Sequence, residues 1–153
     1  MLTSPTLTAF LSLIGWAEGA DYNTIVNGVD GPATFTDFSD HPFAPQFNRP
    51  PVIVRRSPLL ESTAAGRYQL LYRYWPIYRA QLGLADYSPA SQDAIAIEQI
   101  KERGGIALIG TGDIEGAIKA CSNIWASLPG NNYGQGGKTM GELLERYQGL
   151  VGG

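Results

Sequence analysis

Apolar positions recur at helical spacing in four stretches of the chain, and each stretch carries punctuation at its ends. The first runs from Ser4 to Glu18: Leu7, Leu11, Ile14 and Glu18 fall four, three and four residues apart, so one face of the predicted helix ends in a carboxylate. Ser4 suits the cap, Pro5 the first helical position and Gly19 the left-handed exit. Between Tyr22 and Phe38 the period shortens. Thr24 to Val26 and Thr34 to Thr36 are β-favouring runs separated by Asn27-Gly28 and Asp30-Gly31, which predicts a small hairpin.

From Ser39 to Leu60 no period survives, and Pro42, Pro45, Pro50, Pro51 and Pro58 argue for a long loop or irregular flap. Helical spacing resumes at Tyr68, Leu71, Tyr72, Trp75 and Leu82 up to Gly83, with Pro76 expected to kink or divide the helix. Ser88-Pro89 opens a further helix, apolar at Ala94, Ile95, Ile97 and Ile100, that stops at Gly104-Gly105. Asp113 caps a helix carrying Ile114, Ala117, Ile118, Cys121 and Trp125; Pro129 to Gly137 is a glycine-rich loop. Thr139 and Glu142 are spaced as a capping box for the last helix. With no internal repeat or linker, the chain is expected to form one α+β domain over residues 1–153, a mainly helical body with a small β-hairpin.

Composition narrows the function classes. An apolar fraction of 44% supports a packed core, and 11 basic against 14 acidic residues, a net charge of −3, argue against a nucleic-acid partner. The apolar stretch from Thr8 to Ala17 has no basic residue before it and meets Glu18 at its end, so it fits neither a cleaved export signal nor a membrane span, and stable membrane insertion is not expected. Cys121 is the single cysteine and His41 the single histidine, which leaves no zinc cluster to propose and no cofactor. Cys121 reads as core packing. His41, lacking a nucleophile partner, reads as a loop hydrogen-bonder.

Glu18 is the candidate with chemistry behind it. Partial burial on an apolar face and the negative end of its own helix both favour the protonated carboxyl, which is the form that general-acid cleavage of an acetal needs near neutral pH. The competing reading is a structural glutamate bonded to loop amides or to an arginine such as Arg67. Asp21, Asp37 and Asp40 are the choices for a second carboxylate, with no pattern favouring any of them; Asp37 and Asp40 also suit turns around Ser39. Ser62 to Gln69 reads as the capped entry to the next helix, its small residues permitting close approach of a ligand or of backbone. Tyr68 and Gln69 offer an aromatic face and an amide to a sugar, although Tyr68 also fits the core stripe.

Taken together, Trp16-Ala17-Glu18-Gly19, Phe35-Thr36-Asp37-Phe38-Ser39-Asp40-His41-Pro42, the run from Ser62 to Leu71, and Ser122-Asn123-Ile124-Trp125-Ala126-Ser127-Leu128-Pro129 resemble the phage lambda endolysin family. The resemblance spans nearly the whole chain and weakens after Gly137. It implies a lysozyme-like fold and a lytic transglycosylase that cuts peptidoglycan glycan strands between N-acetylmuramic acid and N-acetylglucosamine, with the family's catalytic glutamate falling on Glu18. The muramic acid 6-hydroxyl then closes onto C1 to give a 1,6-anhydro sugar, so no protein carboxylate has to hold a water.

Related phage lysozymes carry Asp and Thr at fixed spacings after their glutamate; counted from Glu18, those positions hold Asn27 and Ala33. A hydrolytic muramidase, with Asp37 holding water, is therefore the second reading, and a non-catalytic glycan-binding or virion structural protein the third. By resemblance the Pro-rich loop and the Pro129 to Gly137 loop form two lips of a substrate cleft, which Ser62, Tyr68, Gln69 and Tyr133 are expected to line, with Asp37 a further substrate-binding candidate. The same resemblance implies a monomer made in the host cytoplasm that acts in the periplasm on the cell wall once a separate holin has opened the inner membrane. The negative net charge is unexpected for a protein approaching an anionic wall.

Overall fold

In a computed structural model, which describes residues 4–129 and 137–152, the opening helix α1 spans Pro5–Glu18. Ser4 Oγ accepts the Leu7 N–H at 3.2 Å, satisfying one of the amides that a helix start leaves unpaired. Gly19 ends the helix at φ 65°, a left-handed conformation that gives its N–H to the Trp16 carbonyl at 3.1 Å. Phe10, Leu13 and Ile14 are fully buried, so α1 is a core helix up to its last turn.

The Cα packing separates two compact units, residues 20–95 and residues 1–19 with 96–153. In the first unit, β1 (Thr24–Gly28) pairs antiparallel with β2 (Gly31–Thr34): the expected hairpin forms, but its second strand starts at Gly31 and ends at Thr34, where Thr34 to Thr36 was expected. The expected irregular flap is not what forms next. After a 3-10 turn at Pro45–Phe47, β3 (Val52–Arg56) and β4 (Leu59–Ser62) make a second antiparallel hairpin. The prolines that spoke against regular structure stand just outside the strands: Pro50 and Pro51 precede β3, and Pro58 sits in the turn, where no ladder N–H is needed.

The helix expected over Tyr68 to Leu82 is also shorter. Residues 63–71 form an irregular strap bridged by Ala65 and Leu70, which exchange both backbone hydrogen bonds, and Gln69 adopts φ 52°. Ser62 therefore closes β4 and does not cap a helix. A 3-10 turn at Tyr72–Tyr74 leads into α2 (Trp75–Leu82), whose first turn contains Pro76; the proline starts this helix where a kink was expected. Ile25, Phe35, Phe43, Ala65, Leu70, Trp75, Tyr87 and Ile95 form the core of this unit.

Helix α3 (Pro89–Glu102) carries the chain from one unit into the other. There α4 (Gly105–Gly110), a short helix the sequence pattern did not announce, is followed by α5 (Ile114–Cys121), capped by Asp113, whose carboxylate accepts the Gly116 N–H at 3.0 Å. Helix α6 (Met140–Gly152) opens on the predicted capping box: Glu142 N–H to Thr139 Oγ1 at 3.1 Å and Thr139 N–H to Glu142 Oε1 at 2.9 Å. Within this unit α1 packs against α6 and α4, and α5 against α4 and α6. No helix among the described residues is long and apolar enough to cross a membrane.

Candidate active site

Glu18 is the last residue of α1, half-buried at the point where Gly19 turns the chain away. Burial raises its pKa, because a carboxylate stripped of water is disfavoured against the neutral acid; the carbonyl end of α1 acts in the same sense. One opposing contact is built in. Ser127 Oγ donates a hydrogen bond to Glu18 Oε2 at 2.5 Å, which favours the ionised form and partly offsets burial. The result is a carboxyl group that holds its proton above the ordinary glutamate range while one oxygen is fixed in direction.

Ser127 itself is held from several sides. It stands between Trp125 and Leu128, both buried, and the Leu128 N–H reaches the Trp125 carbonyl at 3.0 Å. Its carbonyl accepts the Lys138 N–H at 3.1 Å, and the neighbouring Gly137 comes so close that a β-carbon there would lie 2.6 Å from that same oxygen. Lys138 then extends over the ring of Trp16, 4.4 Å from its centroid, and Arg146 reaches the same ring at 4.9 Å.

In the other unit the strap from Ser62 to Leu71 is tied down by a polar network. Tyr68 hydroxyl donates to Asp93 Oδ1 at 2.6 Å, Tyr22 hydroxyl donates to the same carboxylate at 2.9 Å, and Arg67 gives hydrogen bonds to both phenol oxygens. Burial and the Asp93 charge push the Tyr68 phenol up, so it stays a donor. Tyr68 is only 5% exposed, which makes it a core residue with a hydrogen-bonded tip; the open aromatic face expected for a sugar is not presented. Gln69 is half-buried, and its amide nitrogen donates to the Gly66 carbonyl at 2.9 Å and to the Thr24 carbonyl at 3.4 Å. Gly66, at φ 90°, lies where a β-carbon would be 2.4 Å from Gln92 Oε1. Gln92 uses that oxygen to accept the Arg67 N–H at 2.9 Å, so the glycine lets the strap close onto α3.

Ser62 is half-buried and turns its hydroxyl to the Ala64 N–H at 3.1 Å. Asp37 is exposed and accepts the Ser39 N–H at 2.9 Å; bonds from Ser39 hold its carboxyl below the ordinary range, which fits the turn-forming reading. Asp40 does more than the turn expected of it. Burial alone raises its pKa, but hydrogen bonds from Gln46, from Trp75 Nε1 at 2.7 Å and from the His41 N–H, with the charge of Arg79, prevail and hold it below the usual value. The sequence gives no sign of this convergence, because its donors are spread over almost forty residues. Tyr133 lies outside the described residues, as does most of the Pro129 to Gly137 loop.

His41 is fully buried. Its Nδ1 accepts the Phe43 N–H at 3.2 Å, so Nε2 carries the proton and donates to the Leu70 carbonyl at 2.9 Å; burial lowers its pKa to about 4, and it acts as a neutral loop hydrogen-bonder. Cys121 is buried in the helical unit, its thiol pushed up to about 12 by desolvation. Among the described residues no group of three His, Cys, Asp or Glu side chains is placed to hold a metal ion.

An acidic group at the end of a core helix, in an α+β chain with small antiparallel ribbons, is the arrangement of a lysozyme-like protein, and comparison with solved structures agrees. The fold matches bacteriophage lambda lysozyme complexed with a chitohexasaccharide at a TM-score of 0.86 and 45% identity, covering 100% of this chain and 97% of that one. A second structure of lysozyme from bacteriophage lambda matches at 0.75 and 42%, covering 99% and 93%. The endolysin family model matches residues 8–153. The endolysin of Escherichia phage lambda is 48% identical over 150 residues, 92% of this chain and 87% of the relative; that of Escherichia phage P2 is 47% identical over 152 residues, 93% and 90%. The chain therefore belongs to the endolysin family.

Proposed function

We propose that this protein is a peptidoglycan-cleaving endolysin, and specifically a lytic transglycosylase that uses Glu18 as acid and then base. The carrying observation is the half-buried Glu18 carboxyl, held above its usual pKa and contacted by the Ser127 hydroxyl, in a chain that shares its fold and nearly half its residues with lambda endolysin. The chitohexasaccharide bound to lambda lysozyme supports a β-1,4-linked amino sugar polymer as the ligand class. Glu18 gives its proton to the glycosidic oxygen between N-acetylmuramic acid and N-acetylglucosamine, and the C1–O bond breaks to release the 4-hydroxyl of the leaving sugar. The muramic acid 6-hydroxyl oxygen then bonds to C1 and returns its proton to the Glu18 carboxylate. No water enters, and the enzyme ends as it began.

Asn27 and Ala33, exposed on β1 and β2, supply neither carboxylate nor hydroxyl at the positions used by the related hydrolytic lysozymes, which favours this course over hydrolysis. Ser62, Gln69, Tyr133 and Asp37 are proposed to contact the glycan, while Tyr68, buried with its hydroxyl on Asp93, holds the strap. Lysis of the host wall by a monomer, after a separate holin has opened the inner membrane, completes the reading. Mass analysis of digested peptidoglycan tests it: anhydro-muropeptides are expected, whereas products heavier by one water with a reducing end establish the muramidase reading. Equal clearing of cell walls by wild type and Glu18→Gln would overturn catalysis by Glu18.

A further inference from the structure

We infer that Ser127 is the positioning residue of this site: it fixes Oε2 of Glu18, so that Oε1 is the oxygen that hands over and takes back the proton. The inference rests on the proposed role of Glu18 as acid and base.

Three observations of the helical unit carry it. The hydroxyl of Ser127 meets Oε2 at 2.5 Å. The backbone of Ser127 has little room to move, because the Lys138 N–H binds its carbonyl and Gly137 lies against its carbonyl and Cα, leaving no space for a β-carbon. The clamp is also joined to α1: Lys138 sits on the ring of Trp16, two residues before Glu18. A serine whose main chain is fixed to the helix that carries the acid presents its O–H along one direction, and a hydroxyl donor can be met by Oε2 in both protonation states of the carboxyl group. In the acid the proton then resides on Oε1. In the carboxylate the same bond is charge-assisted and stronger, which eases departure of the proton from a group that burial alone would hold too firmly.

The other charged groups on elements packed against α1 are Lys138 and Arg146 at the Trp16 ring, and Glu142 and Glu145 beside them on α6. Tyr147 bonds to the Thr6 carbonyl at the far end of α1, and α4 carries no titratable side chain.

The test measures cleavage of purified peptidoglycan against pH for wild type, Ser127→Ala, Ser127→Thr and Glu18→Gln, each checked for a cooperative thermal transition. Ser127→Ala is expected to lower kcat by about tenfold with KM nearly unchanged, the loss typical of one hydrogen bond to a charged group. It should also move the pH at which activity falls upward, because removal of the donor raises the Glu18 pKa; Ser127→Thr restores both. A merely structural serine leaves that midpoint in place. Wild-type kcat and midpoint in Ser127→Ala, with Glu18→Gln inactive, overturn the role of Ser127 alone, whereas activity in Glu18→Gln overturns the reading beneath it. If Ser127→Ala fails to fold, Gly137→Ala keeps the hydroxyl but forces its backbone away from the clamp: an upward shift supports the inference and a wild-type profile overturns it.

Discussion

The Tyr68 hydroxyl donates to Oδ1 of Asp93 at 2.6 Å, tying the strap that follows β4 to α3 across 25 residues of sequence. The bond is buried at one end and charge-assisted at the other, so Tyr68→Phe leaves the ring packed while removing one donor. Thermal unfolding is expected to show a loss of about 2 kcal/mol, the range for a hydrogen bond to an ionised partner. An unchanged transition would mean that water replaces the phenol at Asp93 without loss.

Glu18 contributes least to stability at high pH. Its unfolded value is near 4.5 and its folded value is raised, so the stability it contributes is complete below 4.5 and is lost as pH rises through the folded pKa. Glu18→Gln, which cannot ionise, should therefore gain stability relative to wild type as pH is raised from 4 to 8, while its wall-clearing rate falls by about a hundredfold or more. Parallel melting curves at several pH values check the first statement, and turbidity loss of substrate cells the second.

His41 titrates in the opposite sense. Burial lowers its folded value to about 4 against 6.5 in the unfolded chain, so unfolding takes up a proton between those values and stability declines as pH falls from 6.5 towards 4. Its imidazole resonances in nuclear magnetic resonance should stay those of the neutral Nε2–H tautomer down to pH 5. A midpoint near 6.5 in the native protein is the result that rejects this environment.

At Gly66 two effects combine. The φ of 90° is strained for any side chain, and a β-carbon would sit 2.4 Å from Gln92 Oε1. Gly66→Ala is expected to destabilise by about 2 to 3 kcal/mol. Denaturant unfolding with an unchanged midpoint would show that Gln92 moves aside freely.

The helices that carry their own punctuation were legible without coordinates: Ser4 and Gly19 on α1, Asp113 on α5, and the Thr139 and Glu142 pair on α6 all act within a turn of where they stand. The second hairpin was hidden by prolines that flank strands as readily as they break helices. Helical spacing at Tyr68, Leu71 and Tyr72 arose by coincidence in a bridged strap, where a positive φ at Gln69 excludes a continuous helix. Helix α4, six residues long and bounded by glycines, is too short to show a period. Glu18 stood out because a carboxylate on an apolar stripe is unusual, but its partner did not: Ser127 is 109 residues away, and nothing local distinguishes it from any serine near a proline.

Both β ribbons are only two strands wide, and each carries a break in register, between Ile25 and Gly28 in one and between Ile53 and Arg55 in the other. A neighbouring molecule seeking to add a strand therefore meets an interrupted row of donors and acceptors, with Pro32 within β2 and Arg55 and Arg56 along β3 as further obstacles.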